Sequence, residues 1–253
     1  MSAAYQYLGR ILVIIPTYNE IDNIDIAVAA VRVATPDIDV LVADDNSPDG
    51  TGVRANEIAA VDHHVKVLHR TVKEGLGAAY IASFQWAKQQ GYDVVVEMDA
   101  DGSHRAVDLP LLLNALVDAD VVLGSRWIKG GKVVNWPLHR EILSRGGNFY
   151  TRVWLGMPIS DATGGFRAFR ITALDAIGLE LVESQGYCFQ VDMAWRAVQA
   201  GQRVKEVPIT FIERERGESK MDQAIVSEAL KRVTQWGLAK RKNDLRKLFS
   251  RKS

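Results

Sequence analysis

The sequence predicts an α/β protein built on a mostly parallel, Rossmann-like sheet with helices on both faces. Two observations carry that prediction. Short, continuously apolar, β-rich runs alternate with helical stretches through the first half of the chain, and clusters of polar and acidic residues follow those runs. Strands that are apolar on both faces belong to a sheet covered on both sides, which is where parallel sheets are found.

The first strand is read at residues 10–15 (RILVII), followed by a helix over 20–33. Strands at 39–43 and 65–68 alternate with helices at 52–60 and 75–90, and a fourth strand, 93–98, precedes a helix at 108–118. With a fifth strand at 120–124, this makes four consecutive βα units and one further strand. An irregular stretch then opens with KGGK at 129–132 and NWP at 135–137, before a helix at 138–154. A second loop, 161–165 (DATGG), leads to a strand at 166–169, and helices follow near 172–178 and 187–200. Residues 204–211 read as one strand, in which Pro208 favours a sheet edge or strand end because it has no N–H to give the ladder. The last segment, 222–249, reads as an amphipathic helix or a helix pair, which divides the chain into an α/β unit, 1–221, and a basic helical segment, 222–253.

At 253 residues, 47% hydrophobic and 25% charged, the chain has the composition of an ordinary globular protein with a proper core. Its single cysteine, Cys188, can form no internal disulfide, fits a reducing compartment, and reads as a small buried hydrophobe. No uninterrupted apolar run of the roughly 18 residues that a span needs is present, and no signal segment opens the chain. The expectation is a protein neither exported nor integral, and no nucleic-acid partner is expected. Zero net charge conceals an asymmetry: residues 240–253 carry seven basic side chains and one acidic, leaving a body with 24 basic and 30 acidic residues.

In open parallel sheets, ligands bind beyond the carboxyl ends of the strands. Those ends carry PTYNE at 16–20, DDNSPDG at 44–50, DADGSH at 99–104 and GSR at 124–126. Asp99 and Asp101, one residue apart in a turn, are suited to a divalent cation that shares its coordination with substrate phosphates. The competing reading is an Asp-rich turn capping the next helix. His104 reads as a third ligand or, more ordinarily, a capping residue. Asp44 and Asp45 belong either to turn chemistry or to a nucleoside contact, with Ser47 or Asp49 capping the next helix. A phosphate-binding glycine loop is absent, since Gly75-Leu-Gly77 lacks both the Rossmann and the Walker spacing. The loop 214–220 (RERGESK) is either a solvated charged loop or one that closes Arg216 and Lys220 over phosphate oxygens.

Taken together, these motifs resemble the inverting family 2 glycosyltransferases in sequence order over about residues 10–221. The KGGK and NWP segments and the RERGESK loop place the resemblance nearest the dolichyl-phosphate or polyprenyl-phosphate mannose synthases. The resemblance implies a GT-A nucleotide-sugar fold, a GDP-mannose donor, a magnesium or manganese ion, and a polyprenyl phosphate acceptor. It implies that Pro16, Tyr18, Glu20, Ala43 and Asp45 line the nucleoside pocket. Asp99, Ala100 and Asp101 would sit by the diphosphate, with Asp101 as principal metal ligand. Arg126 would approach the sugar or acceptor phosphate, and Arg214, Arg216 and Lys220 would close over the phosphates. Some relatives carry glutamine where this chain has Ser103, so the hydroxyl of Ser103, or a water it holds, is the implied second protein ligand.

A phosphate acceptor is already anionic, so this chemistry needs no strong general base. Its larger barrier is departure of the nucleoside diphosphate, eased by a metal ion and converging cations. Displacement from the opposite face would give a β-linked product. Weighed beside this reading are a UDP-glucose-dependent polyprenyl-phosphate glucosyltransferase, a sugar-phosphate nucleotidyltransferase, which would want a glycine-rich basic loop after the first strand, and a non-catalytic nucleotide-sugar sensor. For a lipid acceptor the chain would work peripherally on the cytoplasmic face of a membrane. Ile225, Val226, Ala229, Leu230, Val233 and Trp236 recur at helical spacing as a core-facing stretch. Residues 240–253, with Leu245, Leu248 and Phe249 among the basic side chains, would form a surface anchor; relatives without spans also imply a separate anchoring protein.

Overall fold

The structure, a computed structural model, describes residues 4–182, 187–214 and 223–250. Seven strands form one sheet: β1 (Ile11–Thr17), β2 (Asp39–Asp44), β3 (Val65–His69), β4 (Val94–Glu97), β5 (Val121–Ser125), β7 (Arg167–Arg170) and β8 (Val204–Pro208). Their spatial order is β3-β2-β1-β4-β7-β5-β8, and every neighbouring pair is parallel except those made by β7, which runs antiparallel between β4 and β5.

Both faces of the sheet are buried, and the two-residue strand period decides which side chain goes where. Val13, Ile15, Val94 and Val96 pack beneath α1 (Ile24–Ala34), α2 (Thr51–Val61) and α4 (Leu109–Leu116). Leu12, Ile14 and Val95 pack on the other face with α3 (Leu76–Gln89), α6 (Ile171–Ile177) and α7 (Tyr187–Gln199). Helix α1 shows the matching pattern: Ile24, Ala27, Val28 and Val31 are its buried residues, the i, i+3, i+4, i+7 stripe of a helix laid on a sheet. Each fully buried aliphatic side chain contributes about 1.5–3 kcal/mol. Cys188 is buried within α7, and burial pushes its thiol up to about 12, so it behaves as the small hydrophobe expected.

The irregular stretch after β5 contains a strand that the sequence pattern did not reveal, β6 (Lys132–Val134). The predicted strand 204–211 is in fact two. It breaks at Pro208, where β8 ends at the sheet edge, and continues as β9 (Thr210–Ile212), which pairs in parallel with β6 in a separate ribbon. Pro208 cannot donate to a ladder, so the chain changes partners there. Gly131 lets this ribbon approach β5, since a Cβ at that position would come within 2.4 Å of the Ser125 carbonyl oxygen.

Helix α5 (Leu138–Leu155) ends at Gly156 in the left-handed conformation, with φ of 62°, as a helix stop requires. Helix α8 (Gln223–Ser250) is one continuous helix rather than a pair, and packs across α5 and α7. Val233 is buried and Trp236 packs on the same core, whereas Leu230 is exposed and the side chains of Ile225 and Val226 lie outside the described residues. Lys240 donates to the Leu155 carbonyl at 2.9 Å, satisfying an end of α5, and the Arg241 guanidinium lies 4.3 Å over the Trp154 ring. The first two cations of the tail therefore hold α8 to the body. Leu245, Leu248 and Phe249 lie outside the residues whose side chains are described. Among the described residues, no helix is long and apolar enough to cross a membrane.

Candidate active site

The candidate residues meet at the carboxyl ends of β1, β2, β4 and β5. At the end of β2 the two adjacent aspartates have different tasks. Asp44 accepts from the Thr17 hydroxyl at 3.2 Å, the Ser47 hydroxyl at 2.6 Å and the Ser47 N–H at 3.2 Å, and so ties the first two strand ends together. Asp45 instead pairs with Arg70, which follows β3. Burial pushes the Asp45 carboxyl up, and the charge of Arg70 offsets only part of that.

Pro16 stands opposite Ala43 in the β1–β2 register; Ala43 is fully buried, while Pro16 keeps some exposure. Tyr18 lies beneath the Lys73 ammonium, 3.6 Å from its ring centroid. Glu20 accepts from the Asn23 amide at 2.8 Å, and its own N–H donates to the Thr51 hydroxyl at 3.0 Å. Tyr18 and Glu20 follow β1, Asp45 follows the adjacent β2, and Ala43 is buried within β2.

The β4 end carries the acidic turn. Ala100 is buried, Asp99 is about one-third exposed, and the Asp101 side chain is only 9% exposed. Asp101 accepts the Ser103 N–H at 3.0 Å, and Arg214 stands 3.3 Å from its other oxygen. Burial and the neighbouring Asp101 push the Asp99 carboxyl up, against the pull of Arg214. The Asp99 N–H donates to His104 Nδ1 at 3.1 Å, so that nitrogen acts as an acceptor. The imidazole is buried, stacked on Phe166 and edge-on to Phe211. His104 is thus the capping residue of the turn. Arg216 and Lys220 lie outside the described residues.

The turn fits a divalent cation. Two carboxylates sit one residue apart in the turn, the Asp99 carboxyl is pushed up chiefly by burial and further by Asp101, and Ser103 Oγ is buried with no hydrogen-bond partner. Among the described residues, no cluster of three or more histidine, cysteine or acidic side chains forms a complete cage. Asp99, Asp101 and Ser103 would hold such an ion only together with substrate phosphates and water, as magnesium and manganese commonly are.

Arg126, at the end of β5, is held from below. Its Nε and Nη2 each donate to an oxygen of Asp161 at 2.7 Å, and its main-chain N–H adds a third bond to the same carboxylate at 3.0 Å. Nη2 also donates to the Thr163 hydroxyl at 2.8 Å. Asn148 of α5 donates to both Thr163 and Asp161 and accepts the Ala162 N–H. Asp161 is fully buried; burial alone would raise its carboxyl, but the charge and hydrogen bonds of Arg126 outweigh it and hold the group below its ordinary value. Asp161 therefore sets the direction of Arg126. Above lies an aromatic and cationic rim. The Arg126 guanidinium is 5.3–5.4 Å from the rings of Trp127, Trp136 and Phe211, and Arg140, paired with Glu213, stacks on Trp136 at 4.2 Å.

Beneath the acidic turn, Arg167 of β7 stands opposite Glu97 of β4 and is fully buried. It donates to the carbonyl oxygens of Gly164, Ala162 and Gln190, fixing the 161–165 loop that carries Asp161. Burial pushes Glu97 up to about 8, against the opposing pull of Arg167, and lowers Arg167 to about 10.

Arg70, Arg140, Asp161 and Arg167 were not singled out by the sequence. Arg70 sits just past a predicted strand end, a position that could have marked it. Asp161 and Arg167 gain meaning only because β7 inserts antiparallel between β4 and β5, which no local pattern announces.

The chain's likenesses agree with this geometry. It is 56% identical over 237 residues to an undecaprenyl-phosphate mannosyltransferase of Micrococcus luteus, covering 94% of this chain and 98% of that protein. It is 52% identical over 231 residues to a polyprenol monophosphomannose synthase of Mycolicibacterium smegmatis, covering 90% and 87%. Among solved structures, a mannosyltransferase of Pyrobaculum calidifontis in complex with GDP-Man and Mn2+ shares the fold at a TM-score of 0.58 and 19% identity, over 94% of this chain and 76% of that one. Residues 12–178, from β1 through the acidic turn, Arg126 and the Asp161 loop, match Glycosyl transferase family 2. With a GT-A sheet whose strand ends gather Asp45, Asp99, Asp101 and Arg126, this chain belongs to glycosyl transferase family 2 and is a glycosyltransferase.

Proposed function

We propose that this enzyme transfers mannose from GDP-mannose to a polyprenyl phosphate with inversion, giving a β-linked lipid-phosphate sugar. The observation that carries the reading is the pairing of the acidic turn Asp99–Asp101 with Arg214, at the sheet end that also carries Arg126, itself held by Asp161. The mannosyl-transfer names of the two close relatives support the choice of sugar and lipid.

Tyr18, Glu20 and Asp45 hold the nucleoside, with Arg70 keeping the Asp45 carboxylate in place. Asp99, Asp101 and Ser103 hold magnesium or manganese, which when bound supplies Lewis-acid stabilisation of the diphosphate. Arg214 already brings positive charge to Asp101, and Arg216 and Lys220, which follow it in sequence, add charge for the departing diphosphate. Arg126 directs its charge toward the acceptor phosphate, in the orientation set by Asp161. The acceptor oxygen is anionic at neutral pH and attacks without a dedicated base. Cations placed where leaving-group charge develops are worth about 3–4 kcal/mol each in the transition state. The enzyme works peripherally on the cytoplasmic face of a membrane, held by the basic tail beyond Arg241 or by a separate anchoring protein.

The test is to incubate purified enzyme with labelled GDP-mannose or UDP-glucose, polyprenyl phosphate and magnesium or manganese, then identify the lipid product and its linkage. Mannosyl-phosphoryl-polyprenol with a β linkage is expected from GDP-mannose. A glucosylated lipid from UDP-glucose alone would establish the glucosyltransferase reading instead, and donor binding with no transfer would favour a sensor.

A further inference from the structure

Two adjacent residues just past β9 reach in opposite directions. Glu213 turns to α5, where both of its carboxylate oxygens accept from Arg140 Nη1. Arg214 turns to the acidic turn, where its guanidinium stands 3.3 Å from Asp101. The four side chains are between 9% and 23% exposed, so solvent screens both pairs weakly.

The main chain fastens this segment to the turn. The Ile212 N–H donates to the Ser103 carbonyl at 3.1 Å, and Phe211 forms a β-bridge with His104. Residues 211–214 therefore follow a shift of the acidic turn. Arg140 belongs to a different element, its guanidinium 4.2 Å from the centroid of Trp136, the ring that Arg126 also approaches at 5.3 Å. Each pair withholds a group that a substrate needs. Asp101 must leave Arg214 to take a cation, and Arg140 beside Glu213 offers an incoming phosphate little net charge, since opposite charges in contact nearly cancel for a third.

We infer that Glu213 is a positioning residue that acts through Arg140, keeping this cation paired until the donor occupies the acidic turn and then yielding it to the acceptor's phosphate. As Asp99, Asp101 and Ser103 close on the donor diphosphate and its cation, the 211–214 segment moves with them and the Glu213 carboxylate comes off Arg140. Donor and acceptor binding are thereby coupled, each strengthening the other by the same factor. Breaking the pair is work done by the donor, which holds donor affinity below what its own contacts would give. The inference rests on the proposed donor and acceptor, but its first test uses no acceptor.

GDP with magnesium is titrated into full-length protein by calorimetry, for wild type, Glu213→Gln, Arg140→Gln and the double variant. Each single variant is expected to bind about fivefold more tightly than wild type, the low end of measured couplings. The double variant should gain no more than either, because each change removes the same pair. Simple electrostatics demands the opposite of Arg140→Gln, which takes a positive charge away from a diphosphate site. In a second titration, GDP with magnesium should tighten binding of a short-chain polyprenyl phosphate about tenfold in wild type and less than twofold in Glu213→Gln. Weaker or unchanged GDP binding by Arg140→Gln would overturn the inference. So would a gain confined to Glu213→Gln, which would make Glu213 a repelling charge near the diphosphate and nothing more. Arg140→Gln decides the matter if Glu213→Gln fails to fold, and the loss of coupling in Glu213→Gln decides it in the reverse case. Mannosyl transfer with none of these differences would reject the inference alone. The expected GDP results with no binding of polyprenyl phosphate by any of the proteins would sink the lipid acceptor and leave the link between the acidic turn and Arg140 standing.

Discussion

Asp161→Asn separates the role of the buried carboxylate from its shape. The substitution keeps the side chain's size and one carbonyl oxygen but removes the charge that faces Arg126 across two 2.7 Å hydrogen bonds. The carboxylate is fully buried and the Arg126 side chain 7% exposed, so solvent screens the pair little. Removing one partner of such a pair costs about 3–5 kcal/mol, and the retained oxygen places this change near the lower figure. At about 2–4 °C per kcal/mol for a domain of this size, a loss of about 3 kcal/mol lowers the melting temperature by roughly 6–12 °C. The loss should depend on pH. The Asp161 carboxyl lies below its ordinary 3.8 in the folded protein, so its stabilisation is complete above that value and fades as pH falls through the folded one. The gap between wild type and variant in thermal unfolding should therefore narrow below about pH 4. At neutral pH and a temperature where both are folded, mannosyl transfer should fall about 100-fold, the scale of a misplaced catalytic group. A variant that melts within a degree of wild type, or is equally active, would refute the argument that Asp161 orients Arg126.

Three further outcomes follow from the site. Asp101→Ala should abolish metal-dependent transfer with little change in the thermal transition, and near-normal activity in magnesium would remove Asp101 from the metal site. Arg216→Ala and Lys220→Ala should lower kcat more than they raise KM, because contacts that strengthen as the diphosphate leaves act on the transition state; a raised KM with unchanged kcat would make them ground-state binders. Deleting residues 242–253, beyond the contacts of Lys240 and Arg241 with α5, should weaken binding to anionic vesicles at low salt by about 1 kcal/mol for each basic residue lost near the surface. Unchanged vesicle binding across salt concentrations would point to a protein anchor.

Much of the site was legible because parallel sheets place their functional residues after the strands. Asp45, Asp99, Asp101 and Arg126 each follow an apolar run of a few residues, and each run became a strand. The same logic could have reached Arg70, two residues beyond the predicted third strand. It could not have reached the division of labour between Asp44 and Asp45, since both occupy the same turn and only the positions of Thr17, Ser47 and Arg70 assign one to structure and leave the other to the cleft. His104 was ambiguous for a similar reason. A histidine after two aspartates reads more ordinarily as a cap than as a ligand, and its Nδ1, which accepts the Asp99 N–H, decides for the cap.

By itself, then, the sequence determined the α/β class, the order of the βα units, the acidic turn and the basic character of the tail. Each of these depends on periodicity, turn chemistry or charge within a few residues. Tertiary structure decided what depends on distant segments meeting. It placed β7 antiparallel between β4 and β5, set Arg167 opposite Glu97, and delivered Asp161 to Arg126 across 35 residues of chain. It also carried Glu213 to Arg140 across 73 residues. Contacts over such separations are set by how strands and helices pack, which no window of a few residues contains.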